Sequence, residues 1–209
     1  VYPTPTIGMV GRVDDLHTHP TTAAVQAPGD RLYLLHPDGQ AHPNDIDGSE
    51  YLATVHDAVT GNAPRLVLDE EVAVQEAMCA LIDTGIVKHA HDVSDGGLAV
   101  CLAESAVHGG CGMDVTLTVP GSTRVDAVLF GEAQSRIVFS VDAADETAIT
   151  DAIREIDGVA ATYIGTVQGR TLRIGWNDTT WVEAPIDALR DAHENTLPDA
   201  MNAESRAAA

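Results

Sequence analysis

Lysine is almost missing. Of the eleven basic residues only Lys88 is lysine, and they face 32 acidic residues, for a formal charge of -21. That balance excludes a nucleic-acid binder that works through a basic surface, because little on the chain can neutralise a phosphate backbone. Aromatics are scarce as well, with two Phe, two Trp and four Tyr, so the core must be built from Ala, Val, Leu and Ile. Cysteine is limited to Cys79, Cys101 and Cys111. An odd number without CxxC spacing points to neither a disulfide framework nor a thiolate zinc site, and it fits a reducing cytoplasm. Cys79 and Cys101 fall in predicted helices, where a reduced thiol is expected to act as a small core residue. No window reaches the roughly 20 apolar residues of a membrane span, so no membrane partner is expected.

What the chain does have is acid spread along its whole length, not gathered in a tail. Screening relieves the self-repulsion of such a surface in concentrated salt, so the composition predicts a halophilic cytoplasmic protein. With 209 residues and 44% apolar content, the length suits one domain with a genuine core, or one domain and part of another. The chain opens VYPTPTIGMVG without an initiator Met, which leads to the expectation of a fragment.

Residues 1–24 read as an extended lead-in, the tail of an upstream domain. PGDRLYLLHPDG predicts turn, strand, turn, and GSEYLATVHDAV a helix capped by Ser49. A helix after Asp69 carries Val74, Met78, Leu81 and Ile82 on one face and stops at Gly85. IVKHAH reads as a short strand, Gly96 to His108 as a helix, and MDVTLTV as a half-buried strand. A short helix at 124–129 precedes the strand RIVFSV, and AADETAITDAIREID follows as a helix. VAATYIGTV and RTLRIGW predict a hairpin, and PIDALRDAHENTL a last helix with a frayed end beyond Pro198. Helices and strands intermixed in this way predict an α/β (α+β) layered domain with a mixed β-sheet covered by helices. The core domain is expected over 25–180, with a C-terminal helix and tail over 181–209.

Two polar turns carry the chemistry. In HAHDVSDGGLAV, a strand ends near His91 and a helix begins within a few residues, so first-turn amides left open by the glycines suit phosphate oxygens. Asp92 and Asp95 would repel a bare phosphate. Mg²⁺ resolves the conflict, because it takes one or two carboxylates and completes its shell with phosphate oxygens and water. Plain N-capping by Ser94 or Asp95 is the competing reading. LFGEAQSRIVFSV repeats the pattern: Gly131 permits close approach of backbone to a ligand, Glu132 offers a second metal carboxylate, Gln134 and Ser135 offer neutral hydrogen bonds, and Arg136 can pair with phosphate. Its competing reading is a polar loop with Arg136 in a surface ion pair. His17 and His19 have metal-like spacing but no third ligand, and read as loop histidines. His89 and His91 read as structural partners of Asp92 or of backbone. No GxSxG, Walker loop or dinucleotide fingerprint is present.

Taken in order, YPTPTIGMVG, PGDRLYLL, GSEYL, HDVSDGGLAVCLAESA, LFGEAQSRIVFSV and YIGTV resemble the C-terminal third of the phosphoribosylformylglycinamidine synthases of the subunit II type. More distantly they resemble the wider aminoimidazole ribonucleotide synthetase-like family, with its selenophosphate synthetases and hydrogenase maturation ATPases. The resemblance implies an ATP-dependent C–N ligase of purine biosynthesis. In that reaction ATP phosphorylates the formyl amide oxygen of formylglycinamide ribonucleotide, and ammonia from a separate glutaminase subunit displaces the phosphate. Carried onto this sequence, it implies ATP contacts at Asp92 or Asp95 and at Gly131, Mg²⁺ at Glu132, and substrate contacts at Gln134 and Ser135. Which aspartate meets ATP is left open. It also implies that the catalytic histidine and most metal carboxylates lie in N-terminal domains of the same synthetase, so that this chain holds no catalytic residue and is inactive alone. The alternatives are another synthetase of the family, or a non-catalytic scaffold lobe whose carboxylate turns only cap.

Overall fold

The computed structural model describes residues 7–12, 21–41, 45–119 and 123–207, with side chains up to residue 201. Predictions for residues 1–6 and for His17 and His19 lie outside them.

Seven strands form one mixed sheet in the order β2-β4-β1-β5-β3-β6-β7. They are β1 (Arg31–Pro37), β2 (His89–Asp92), β3 (Met113–Thr116), β4 (Ile137–Val141), β5 (Val159–Val167), β6 (Thr171–Trp176) and β7 (Thr179–Pro185). Every pairing is antiparallel except β3 with β6. The expected layered α+β class is therefore correct. The hairpin of β5 with β6 is not. Strand β3 lies between them, antiparallel to β5 and parallel to β6, and the hairpin of this region is β6–β7.

Period-two alternation sorts side chains to the two faces. From β1, Leu32 and Leu34 enter one apolar cluster and Leu35 the other; from β4, Val138 enters the first and Phe139 and Val141 the second. The first cluster is closed by α3 (Gly97–Gly109), α4 (Val125–Phe130) and the start of α6 (Ile186–Ala207). The second is closed by α2 (Leu68–Asp83) and α5 (Glu146–Ile153). Helix α1 (Glu50–His56) buries none of its residues.

Several local expectations need correction. Ser49 caps α1 as expected, accepting from Leu52 N. Helix α2 starts one residue before Asp69, at Leu68, with no side-chain cap; Asp69, Glu70 and Glu71 sit in its first turn, where they favour the helix dipole. Cys79 is exposed while Cys101 is buried in the core, because α2 turns Val74, Ala77, Met78 and Leu81 inward. Helix α6 continues through Pro198 without fraying there.

Candidate functional site

Strands β2 and β4 are antiparallel neighbours with Asp92 opposite Ile137. The end of β2 and the start of β4 therefore fall at the same edge of the sheet, and both polar turns emerge there. Val93 N donates to Arg136 O at 2.9 Å and extends the pairing by one step.

Glycines clamp the two turns together. Gly97 sits at φ +71°, and a Cβ there would lie 2.7 Å from Phe130 C and 2.8 Å from Gly131 O. Gly131 has an ordinary φ of -70°, but a Cβ there would lie 2.3 Å from Asp45 O. Both glycines thus allow backbone to pass against backbone within the protein. Helix α3 begins from Gly96, in the left-handed region at φ +79°, with no side-chain cap. Ser94 and Asp95 do not cap it. The cap comes from the other turn: Glu132 Oε1 accepts from Gly96 N at 2.9 Å and from Glu50 N at 2.9 Å, joining the starts of α3 and α1.

The second turn is shaped from within. Ser135 holds a left-handed φ of 60°, a conformation uncommon for a residue with a side chain. Its hydroxyl donates to Glu71 Oε2 at 2.5 Å. Arg136 is 3% exposed; its Nε donates to Ala133 O at 3.2 Å and its Nη2 to Gly131 O at 2.6 Å. The surface ion pair considered for it does not form among the described residues; the guanidinium is buried and bonded to carbonyls of its own turn. Burial lowers its pKa to about 10, which keeps it charged at neutral pH.

A cavity of about 420 Å³ opens between the turns, and Asp92, Asp95, Glu132, Gln134, Ser135 and Arg136 all line it. Of the predicted site residues only Gly131 is absent from the lining. Pro64, Glu71 and Val74 complete the α2 side of the cavity, and the sequence reading missed them. Glu71 sits in an acidic first turn that helix electrostatics already explains, so no local signal separated it from its neighbours.

The histidines are structural. His91 Nε2 lies 3.2 Å from Glu104 Oε2, and its Nδ1 faces Asp92. His89 is fully buried and meets Ser105 Oγ at 2.9 Å, not Asp92. Burial, helped by neighbouring His91, lowers its pKa to about 4. Among the described residues no three His, Cys, Asp or Glu side chains cluster closely enough to hold a metal. Glu132 gives Oε1 to two amides, and its Oε2 makes no hydrogen bond among the described residues, while Asp92 is 73% exposed. Separate carboxylates of this kind fit Mg²⁺ where phosphate oxygens and water complete the shell.

A mixed sheet layered with helices, with two interlocked polar turns at one edge, defines an α+β lobe with a ligand-sized cleft. Residues 27–177 match the family described as AIR synthase related protein, C-terminal domain, and the chain belongs to that family. It is 54% identical over 202 residues, 96% of its length, to phosphoribosylformylglycinamidine synthase subunit PurL of Salinibacter ruber. It is 38% identical over 201 residues to the subunit of the same name in Moorella thermoacetica. The chain spans about a quarter of the length of these curated relatives, 26% in each case. Among solved structures, T. maritima PurL complexed with FGAR superposes with a TM-score of 0.68 at 18% identity, covering 81% of this chain and 29% of that one. The E. coli hydrogenase maturation protein HypE gives 0.52 at 17% identity over 78% of this chain and 50% of that one. These likenesses establish the shared fold. No helix among the described residues is long and apolar enough to cross a membrane.

Proposed function

We propose that this chain works as the C-terminal lobe of a longer phosphoribosylformylglycinamidine synthase, an ATP-dependent amidine-forming ligase of purine biosynthesis. The observation that carries the reading is a cavity lined by both polar turns, on a chain 54% identical over 202 residues to a PurL subunit. In this reading Asp92, Asp95 and Gly131 belong to the ATP side, and Gln134 and Ser135 face formylglycinamide ribonucleotide. Residues 1–24 are the tail of an N-type domain, and the C-type domain begins at residue 25; it does not stop at 180 as expected, because β7 continues the sheet to Pro185 before α6. The N-terminal domains supply the missing wall, and a separate glutaminase subunit supplies ammonia. T. maritima PurL has been solved with ATP, with FGAR and as the assembly PurLQS.

Glu132 through Oε2, with Asp92 or Asp95, would hold Mg²⁺, which supplies charge neutralisation for the phosphates. The chain's own contribution is to fix the cleft. The Gly97 contact holds the turns together, Glu132 ties two helix starts, and the α2 side closes one wall. Positioning and electrostatics dominate phosphoryl transfer, so one wall alone gives no turnover. The acidic, lysine-poor surface fits a halophilic cytoplasmic setting.

The test is the synthetase assay on the longer protein with ATP, formylglycinamide ribonucleotide and ammonia. Glu132→Gln should lower the rate at least about a hundredfold with the fold intact. A second reading has its own support: the two amides on Glu132 Oε1 are what a scaffold lobe with a purely capping carboxylate requires. Under it Glu132→Gln keeps activity within a few-fold.

A further inference from the structure

Arg136 stands out among the basic residues. Others on the surface are matched with acids, as in Arg65–Glu70, Arg170–Asp187 and Arg173–Glu183. Arg136 has no carboxylate at ion-pair distance among the described residues. Its hydrogen-bond acceptors are the carbonyls of Gly131 and Ala133. A guanidinium carries five N–H donors, and these two bonds use only two of them. Burying a charge without a counter-charge is costly. Holding two carbonyls does not require that charge, since a neutral amide could donate as well. The same side chain lines the cavity between the turns.

We propose that Arg136 is the built-in counter-charge for a phosphate group bound in this cavity. The inference rests on the synthetase reading and deepens it by placing the anion at one end of the cleft. Glu71, Asp92, Asp95 and Glu132 also line that cleft, four carboxylates against one guanidinium, so a polyphosphate enters only with divalent cations over the acids. Arg136 then meets the anion from beneath the 131–136 turn, where Nη1 makes no hydrogen bond that would have to be broken. Ser135, in its left-handed conformation and bonded to Glu71, belongs to the same turn.

Two sources share this chemistry: the triphosphate of ATP and the phosphate monoester of a ribonucleotide. The experiment uses the 209-residue chain, isotopically labelled, and follows the Arg136 Nε–Hε resonance by NMR. One titration adds Mg·ATP and the other adds ribose 5-phosphate with MgCl2. Movement of the Arg136 signal together with the Ser94, Asp95 and Gln134 amides supports the proposal, and the titrant that causes it identifies the source. Arg136→Gln should then weaken that ligand at least about tenfold, while Arg173→Gln on β6 leaves it unchanged. If Arg136→Gln fails to fold, the wild-type resonance still decides. A ligand that shifts the turn amides but leaves the Arg136 signal and the Arg136→Gln affinity unchanged overturns the proposal, as does a lack of response to both titrants. Either result leaves the synthetase reading to its own assay, whereas loss of that assay with a responsive Arg136 would mean a phosphate site on some other enzyme.

Discussion

Glu132 offers the sharpest test of how the site is built. Its Oε1 accepts two backbone N–H groups at 2.9 Å each, from Gly96 at the start of α3 and from Glu50 at the start of α1. Hydrogen bonds to a charged group contribute about 1.5–3 kcal/mol each. The Glu50 amide is exposed and water can replace its partner, so its share lies at or below the lower end. The Gly96 amide is part-buried and loses more. Glu132→Ala should therefore cost about 3 kcal/mol. Glu132→Gln keeps an acceptor oxygen and loses only the charge, and should cost about 1 kcal/mol. For a domain of this size about 1 kcal/mol shifts Tm by roughly 2–4 °C, which predicts falls of roughly 6–12 °C for Ala and roughly 2–4 °C for Gln. Thermal unfolding followed by circular dichroism reads both. An Ala variant melting within about 1 °C of the parent would refute the bridging role.

Gly97→Ala must place a Cβ 2.7 Å from Phe130 C at a left-handed φ; it should lose about 2–4 kcal/mol by urea unfolding, and an unchanged midpoint would break the claim that the turns interlock. His89 has a pKa of about 4 against an ordinary 6.5, so the unfolded chain takes up a proton that the folded chain refuses. Its contribution is complete above pH 6.5 and is lost as pH falls through about 4, at most about 3 kcal/mol; an NMR titration of its ring with a midpoint near 6.5 would contradict this. With a formal charge of -21, raising KCl from low to molar concentration should raise Tm, and a fall would count against a salt-adapted surface.

The fold class and most elements were legible because each rests on local patterning: the alternation in RLYLLHP and IVFSV, and the apolar face of α2. Errors arose where the decisive contact is distant in sequence. Short spacing made β5 and β6 look like a hairpin, yet β3, more than forty residues upstream, lies between them. The polar edge strand β7 carried too little apolar alternation to read as a strand. In the site, both turns were visible as clusters of Gly, Asp, Glu and Ser, but the function of their glycines was not. Only the folded chain shows Gly97 against Phe130 and Gly131 against Asp45. Nor could spacing reveal that Glu132 would cap a helix thirty-six residues away, at Gly96.

In the proposed function, residues 92–97 and 131–136 form one wall of a nucleotide and substrate cleft. Hydrogen–deuterium exchange on the longer synthetase, with and without Mg·ATP and formylglycinamide ribonucleotide, tests it most directly. Both turns should gain protection together while strand β6, four places along the sheet from β4, does not change. Protection confined to other parts of the protein, with both turns exchanging as before, would contradict it.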